Sequence, residues 1–301
     1  MKDNTDIELR GIIPSMITPF ASDGSVSEPE MRRLTEHLIS AGVHGLNPLA
    51  STGEIAYLDE AECRDIIRIV VNQANGRVPV VAGVTGFSTR QLVRAGRAAK
   101  AAGADALLAI MTTYFPLRRD GIVDHLRALA EDVGLPIVLY NNPKYSNADL
   151  APDLVAELST IDQIRYIKDA SGITGRVLSI RETARNPFGV FSASAHIPTT
   201  VLWLGGVGWM AGPACLVPEA SVRMYEAARA GDWTTAMSIQ TCLWPLNELF
   251  QKHGLARCIK GGLAAQGFDV GVPRPPQHPL GPDGLAELTR ALDAVSEGMT
   301  R

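Results

Sequence analysis

Short apolar runs rich in β-branched residues alternate with longer segments of helical period along most of this chain, and the alternation repeats about eight times. The runs predict strands and the segments between them predict helices. Unbroken apolar runs are typical of strands covered on both faces, which favours a parallel sheet built from βα units. The predicted strands are GIIPSMITPF from Gly11, GLNPLAS from Gly45, VPVVAGVT from Val78, ADALLAIM from Ala104, PIVLYNNP from Pro136, IRYIKDAS from Ile164, FGVFSAS from Phe188 and GWMAGPA from Gly208.

Eight βα units over residues 11 to about 231 have the length expected of a (β/α)8 barrel, the TIM fold. Two of the helix starts carry the spacing of a capping box, Ser27 with Glu30 and Ser88 with Gln91. The pattern therefore predicts an α/β chain in which catalytic groups lie where strands end.

The strand pattern stops near residue 231, and only helical patterns follow. They lie near residues 232–252, 255–266 and 284–297. The sequence thus predicts a catalytic barrel over residues 1–231 and a C-terminal three-helix extension over residues 232–301.

Composition and charge narrow the class of protein. The chain has 301 residues, 46% of them hydrophobic, and its formal charge of −4 is spread without a basic run, so we expect no nucleic-acid partner. Cysteines form no C-x-x-C pair and histidines no H-x-H or H-E-x-x-H spacing, so we expect no disulfide framework and no metal site.

Two segments bear on where the protein resides. The first residues, MKDNTDIELR, lack an apolar signal core, and the uncharged stretch from Val190 to Pro218 is broken by seven glycines and prolines. Such broken pieces are too short to cross a bilayer. We therefore expect a cytoplasmic protein without a membrane partner.

Lys168 is the side chain with the most reactive expected environment. It lies within the apolar run RYIKDAS, where desolvation would lower the pKa of an amine, whereas we expect the other five lysines to stay hydrated. A buried lysine can equally be half of a structural ion pair, for which Glu54 or Asp169 could serve. Position alone leaves both interpretations open.

Other reactive groups fall at predicted strand ends: Ser51 and Thr52 after the second, Tyr114 after the fourth and Tyr140 after the fifth. A strand tyrosine is usually a packed aromatic, but a phenol can also move protons beside an amine. The hydroxyl residues could cap a turn, or could hold a substrate carboxylate together with backbone N–H groups.

Taken together, three motifs resemble the dihydrodipicolinate synthase and N-acetylneuraminate lyase family. They are STGE from Ser51, YNNP from Tyr140 and YIKDASG from Tyr166, in the order and on the strands where the family has them. The resemblance covers nearly the whole chain, including the helical tail.

The resemblance implies a Schiff base between Lys168 and the keto carbon of a pyruvate-like acid, with Tyr140 transferring protons and no cofactor. It further implies that Thr52 links Tyr140 to a tyrosine supplied by a neighbouring subunit, for which Tyr114 is the match, in a homotetramer built as a dimer of dimers. The substrate contacts implied are Ser51, Thr52, Tyr145, Ala193, Ser194 and His196.

The motifs also bear on the substrate. Synthases usually carry an arginine for a second carboxylate where this chain has Tyr145, and FSASAHIP lacks the acidic residues with which neuraminate lyases hold a sugar. We therefore expect an aldolase or dehydratase of a 2-keto-3-deoxy sugar acid or a related keto acid. The alternatives are dihydrodipicolinate synthase itself, a catalytically silent keto-acid-binding protein and a metal-dependent aldolase.

Overall fold

The computed structural model describes residues 7–185, 187–193 and 197–300. Within these ranges the strands are β1 Gly11–Pro14, β2 Val81–Thr85, β3 Ala106–Ile110, β4 Ile137–Asn141, β5 Ile164–Asp169, β6 Gly189–Ser192 and β7 Gly208–Ala211. The helices are α1 Glu28–Ser40, α2 Glu60–Ala74, α3 Thr89–Ala101, α4 Arg119–Val133, α5 Pro143–Ser146, α6 Pro152–Leu158, α7 Gly175–Thr183, α8 Pro198–Trp203, α9 Pro218–Arg229, α10 Trp233–His253, α11 Leu255–Ala265 and α12 Pro282–Thr300.

The strands form one parallel sheet in the order β1-β7-β6-β5-β4-β3-β2. The predicted second strand closes it: Asn47 pairs with Ser15 next to β1, and Leu46 pairs with Val80 next to β2. This segment forms isolated bridges and not a regular strand, because Pro48 has no N–H to donate and Leu49 has a left-handed φ of 63°. The (β/α)8 barrel expected from the sequence is confirmed.

Gly83 on β2 allows the closing segment to approach. A Cβ at this position would lie 1.9 Å from the Leu49 carbonyl oxygen. Only glycine leaves room for that contact, so Gly83 allows Leu49, and the turn that follows it, to lie directly against β2.

Alternating residues of the strands line the inside of the barrel. Ile13, Leu108, Val138 and Met210 belong to one buried inner cluster, while their strand neighbours pack outward against the helices. At the amino end of the barrel, the Tyr166 hydroxyl accepts a hydrogen bond of 3.0 Å from the Leu9 N–H. Tyr140 and Lys168 lie near the opposite end of the barrel, where the strands finish.

The three predicted C-terminal helices are present as α10, α11 and α12. α10 packs on α8 and α9, while α11 packs on the turn at Ser51–Gly53 and on the turn that follows β7. The predicted boundary after residue 231 falls in the connection between α9 and α10, and the division into two domains stays a prediction.

One of the two predicted capping boxes is confirmed. Ser88 accepts from the Gln91 N–H and Gln91 bonds back to the Ser88 N–H. The box at Ser27 was wrong: the Ser27 side chain makes no cap hydrogen bond, and the Glu30 carboxylate instead accepts from the Asp269 N–H at 3.2 Å.

No helix in the described ranges is long and apolar enough to cross a membrane.

Candidate active site

Lys168 lies near the end of β5 with its side chain directed into the barrel. It is 4% exposed, and this burial lowers the pKa of its amine to about 7. Neither partner considered for a structural ion pair accounts for it: Glu54 pairs with a different lysine, and Asp169 accepts from Asn141 at 2.7 Å and from Ser171 at 2.7 Å. Near neutral pH a large fraction of this amine is therefore unprotonated and nucleophilic.

Tyr140 is the neighbour of Lys168 across the β4–β5 pair. The Lys168 nitrogen lies 4.5 Å from the centre of the Tyr140 ring. The phenol oxygen accepts from Asn142 Nδ2 at 2.9 Å and is also hydrogen-bonded to the Ser51 side chain. Burial raises the pKa of Tyr140, so its phenol keeps a proton that it can transfer.

Ser15 and Asn47 are part of the site, although sequence reasoning missed them. The Lys168 nitrogen donates to Ser15 Oγ at 3.0 Å, and Ser15 Oγ donates to Asn47 Oδ1 at 2.9 Å. Both residues are 0% exposed. Ser15 follows the inward-facing Ile13 by two positions, so strand periodicity was a signal that could have found it.

The turn that carries Ser51 and Thr52 is held by an ion pair between Glu54, which follows it, and Lys260 on α11. Glu54, which has a left-handed φ of 60°, lies 2.7 Å from the ammonium of Lys260 on α11 and accepts from the Arg274 N–H at 2.8 Å. The expectation that Lys260 stays hydrated was wrong, because α11 packs over the turn and leaves this side chain 2% exposed.

The electrostatics of Lys260 differ from those of Lys168. Burial lowers the pKa of Lys260, while the charge of Glu54 acts in the opposite direction. The ammonium also donates to the Val272 carbonyl at 3.1 Å and lies 4.0 Å from the centre of the Phe20 ring. One buried lysine is thus paired with a carboxylate, whereas the pKa of the other is set by burial alone.

Thr52 lies on the same turn as Ser51. It is 3% exposed, and a Cβ at Gly212 would lie 2.8 Å from its hydroxyl oxygen. The hydrogen bonds described at the Tyr140 hydroxyl come from Asn142 and Ser51, so the link through Thr52 stays a prediction.

Two of the predicted site tyrosines lie at the rim. Tyr114 is 80% exposed and packs edge-to-face on Phe115, while Tyr145 on α5 is 70% exposed. A single chain therefore leaves both phenols open to a second chain or to a substrate.

The segment after β6 is only partly described. Ala193 is buried, and its N–H donates to the Asp169 carbonyl at 3.2 Å, which places it beside the end of β5. Ser194 and His196 lie outside the described residues. In the described ranges, no group of three or more His, Cys, Asp or Glu side chains is arranged to hold a metal ion.

A comparison with family models matches residues 8–295 to the dihydrodipicolinate synthetase family. The chain belongs to that family. The resemblance carried by STGE, YNNP and YIKDASG is thereby confirmed, and the match extends through the C-terminal helices.

Members of this family resemble the chain over almost its full length. It is 42% identical over 285 residues to a 4-hydroxy-tetrahydrodipicolinate synthase of Methanoculleus marisnigri, covering 94% of this chain and 98% of the relative. It is 36% identical over 289 residues to the enzyme of that name from Methanothrix thermoacetophila, covering 96% and 97%.

A solved structure of the family gives the same picture of the fold. YagE from E. coli K12, a prophage protein determined in complex with pyruvate, has a TM-score of 0.91 and 29% identity, covering 96% of this chain and 99% of YagE. The barrel and its helical extension are therefore the family architecture.

Proposed function

We propose that the protein is a class I lyase that forms a Schiff base between Lys168 and the keto carbon of pyruvate or another 2-keto acid. The observation that carries the proposal is the buried Lys168 amine, with a pKa of about 7, beside a protonated phenol at the mouth of the barrel. Family membership and the pyruvate bound by YagE support it.

The reaction begins with attack of the neutral amine on the keto carbon. The new C–N bond forms as the keto oxygen takes a proton from Tyr140, and the proton lost by the nitrogen restores the phenol. Tyr140 then protonates the carbinolamine hydroxyl, which leaves as water, and a proton from solvent restores the phenol again. The product is an iminium ion with one hydrogen on nitrogen, which withdraws electrons from the adjacent carbon and allows deprotonation or cleavage there.

The other predicted residues hold the substrate in this proposal. Ser51 and Thr52, on the turn anchored by Glu54, bind the keto-acid carboxylate, and Ala193, with Ser194 and His196 beyond it, lies beside the substrate chain. The chemistry needs no cofactor because the lysine itself becomes the electron-withdrawing group.

Borohydride trapping tests the proposed function. Reduction in the presence of pyruvate should add a stable mass increment to the peptide that contains Lys168, and the Lys168→Met variant should remain unmodified. Because the free amine is the reactive form, the trapping rate should rise as the pH increases through about 7.

Two results would contradict the assignment or limit it. Wild-type protein that stays unmodified at saturating pyruvate excludes the Schiff base. An adduct that forms without turnover of any keto acid in a substrate panel indicates the silent binding protein instead.

Tyr140→Phe should lower the rate of imine formation by about 10²- to 10⁴-fold, because the phenol proton is lost while the packed ring remains. The matched control is Tyr166→Phe, a second buried tyrosine of the inner cluster, whose hydroxyl bonds to Leu9 at the far end of the barrel. Stopped-flow measurement of imine formation compares the two variants. Equal rates in both would remove Tyr140 from the mechanism.

The substrate we favour is a 2-keto-3-deoxy sugar acid or a related keto acid, cleaved or dehydrated through this imine. Tyr145 presents a phenol where a synthase would hold a second carboxylate with a guanidinium, and Arg176 on α7 is already bonded to Asp149 at 2.5 and 2.6 Å. A 2-keto acid without a second carboxylate fits such a rim better.

The second candidate is 4-hydroxy-tetrahydrodipicolinate synthase, which is the name of relatives at 33–42% identity. Turnover can be compared directly by measuring condensation of pyruvate with aspartate semialdehyde against pyruvate release from 2-keto-3-deoxy acids. Faster condensation assigns the synthase activity, and faster release assigns the lyase activity.

We further propose that the enzyme works in the cytoplasm as a homotetramer built as a dimer of dimers. The exposed Tyr114 and its partner Phe115 support this assembly, since large aromatic side chains at a barrel rim are typical of covered surfaces. In such an assembly Tyr114 would approach the Tyr140 of a neighbouring subunit.

A further inference from the structure

A short polar chain crosses the otherwise apolar lining of the barrel beside Lys168. It runs from the Lys168 nitrogen to Ser15 Oγ at 3.0 Å and from there to Asn47 Oδ1 at 2.9 Å. Ser15 and Asn47 are fully buried, and their backbones pair at the point where the closing segment meets the chain after β1. Burying a polar group without a hydrogen-bond partner is costly, so Ser15 and Asn47 are held in this hydrogen-bonded arrangement.

The partners of Asn47 fix which group donates and which accepts in the Lys168–Ser15–Asn47 hydrogen bonds. The Asn47 amide nitrogen donates to the Val81 carbonyl at 2.7 Å and more weakly to the Pro48 carbonyl at 3.4 Å, so its oxygen faces Ser15. The single proton of the Ser15 hydroxyl is therefore directed to Asn47. Ser15 can only accept from Lys168, and it cannot donate to the lone pair of the amine.

We propose that Ser15, oriented by Asn47, is a catalytic residue that accepts the one N–H of the protonated Schiff base on Lys168. The proposal rests on the imine chemistry proposed above and deepens it. The iminium nitrogen is planar and carries one hydrogen, so one acceptor in its plane fixes its rotation and leaves the carbon facing the substrate side of the barrel. Tyr140 acts on the oxygen of the substrate, whereas Ser15 acts on the nitrogen.

The environment explains why an acceptor matters at this position. The burial that leaves the Lys168 amine uncharged also disfavours the positive charge of the iminium. A hydrogen bond to a charged donor is stronger than one between neutral groups, so the Ser15 bond strengthens as the charge appears. Ser15 thus stabilises the iminium more than it stabilises the free amine.

Ser15→Ala should weaken the imine with pyruvate by about tenfold, measured as the fraction trapped by borohydride at subsaturating pyruvate. The alkaline limb of the trapping profile should also move to lower pH, because the iminium loses its proton more readily without the acceptor. The matched control is Ser221→Ala on α9, which removes another fully buried serine hydroxyl whose bond, 2.7 Å to the Val217 carbonyl, is remote from the site.

Asn47→Ala tests the orienting role. It should give a smaller loss than Ser15→Ala, since the freed hydroxyl can rotate, and the double variant should behave like Ser15→Ala alone because both changes act through one bond. Ser15→Cys keeps a similar volume but is a weak acceptor, and it replaces Ser15→Ala if that variant does not fold.

Unchanged trapping and an unchanged alkaline limb in Ser15→Ala or Ser15→Cys would overturn the proposal, as would losses that simply add in the double variant. These outcomes are separate from failure of the proposed function, in which wild-type protein itself forms no adduct. An equal loss in Ser221→Ala would assign the effect to general destabilisation and so would also count against Ser15.

Discussion

Lys168→Met is expected to make the protein more stable while abolishing adduct formation. The pKa of this amine falls from 10.5 to about 7 on folding, so the native state binds a proton more weakly than the unfolded chain does. At about 1.4 kcal/mol for each pKa unit, burying the lysine costs about 3–5 kcal/mol at pH 7 and below. Methionine has a similar shape, packs in the same lining and carries no such cost.

The stability difference between Lys168→Met and the wild-type protein should depend on pH. Between pH 7 and 10.5 the unfolded chain carries the proton and the native state does not, so the stability of the wild-type protein rises with pH in this window. The advantage of Lys168→Met should therefore be full below pH 7 and disappear near pH 10.5. Denaturant unfolding at pH 6, 8 and 10 measures it, with the exposed Lys144→Met as control. A destabilised Lys168→Met variant would mean that the amine is charged and paired in the native state.

Lys260→Met should have the opposite effect and cost about 3–5 kcal/mol of stability, because it leaves the Glu54 carboxylate buried without its counter-ion. Glu54 would retain the Arg274 N–H, but a single backbone donor replaces only part of an ion pair at 2.7 Å. Imine formation should fall as well, since Glu54 holds the turn that carries Ser51 and Thr52.

A double-mutant cycle separates loss of the pair from loss of packing. Glu54→Gln combined with Lys260→Met removes both charges, so it should be less destabilised than the sum of the single variants predicts, with a coupling energy of about 1–3 kcal/mol. Unfolding in urea provides the free energies. Additive losses would show that the two side chains do not stabilise one another.

The sequence predicted the barrel well because the same pattern, an apolar run followed by a helical segment, repeats about eight times. Each apolar run predicts a buried strand, and Lys168 lies within one of them, RYIKDAS, so its amine was expected in the interior. The closing segment was harder to predict in detail, since its pairing depends on Pro48 and Leu49, which interrupt a regular strand. The existence of the element followed from composition, whereas its hydrogen bonding did not.

Long-range polar contacts limited the prediction of the site. Glu54 and Lys260 are paired across about two hundred residues, and nothing in the helical pattern around Lys260 indicates a buried partner. The Ser27 capping box failed for the same reason, because Glu30 is engaged by a distant backbone N–H. Ser15 could have been predicted from the sequence, since a period of two from Ile13 places its side chain inside the barrel.

The contact between α11 and the turn at Ser51–Gly53 has a consequence for any attempt to shorten the protein. A fragment ending at residue 231 would contain Lys168, Tyr140 and Ser15, yet it would lack Lys260, the cation paired with Glu54. Such a fragment would leave an uncompensated charge at the turn that we propose binds the substrate carboxylate. We therefore expect the helices after the barrel to be required for activity, although they carry none of the proposed reacting groups.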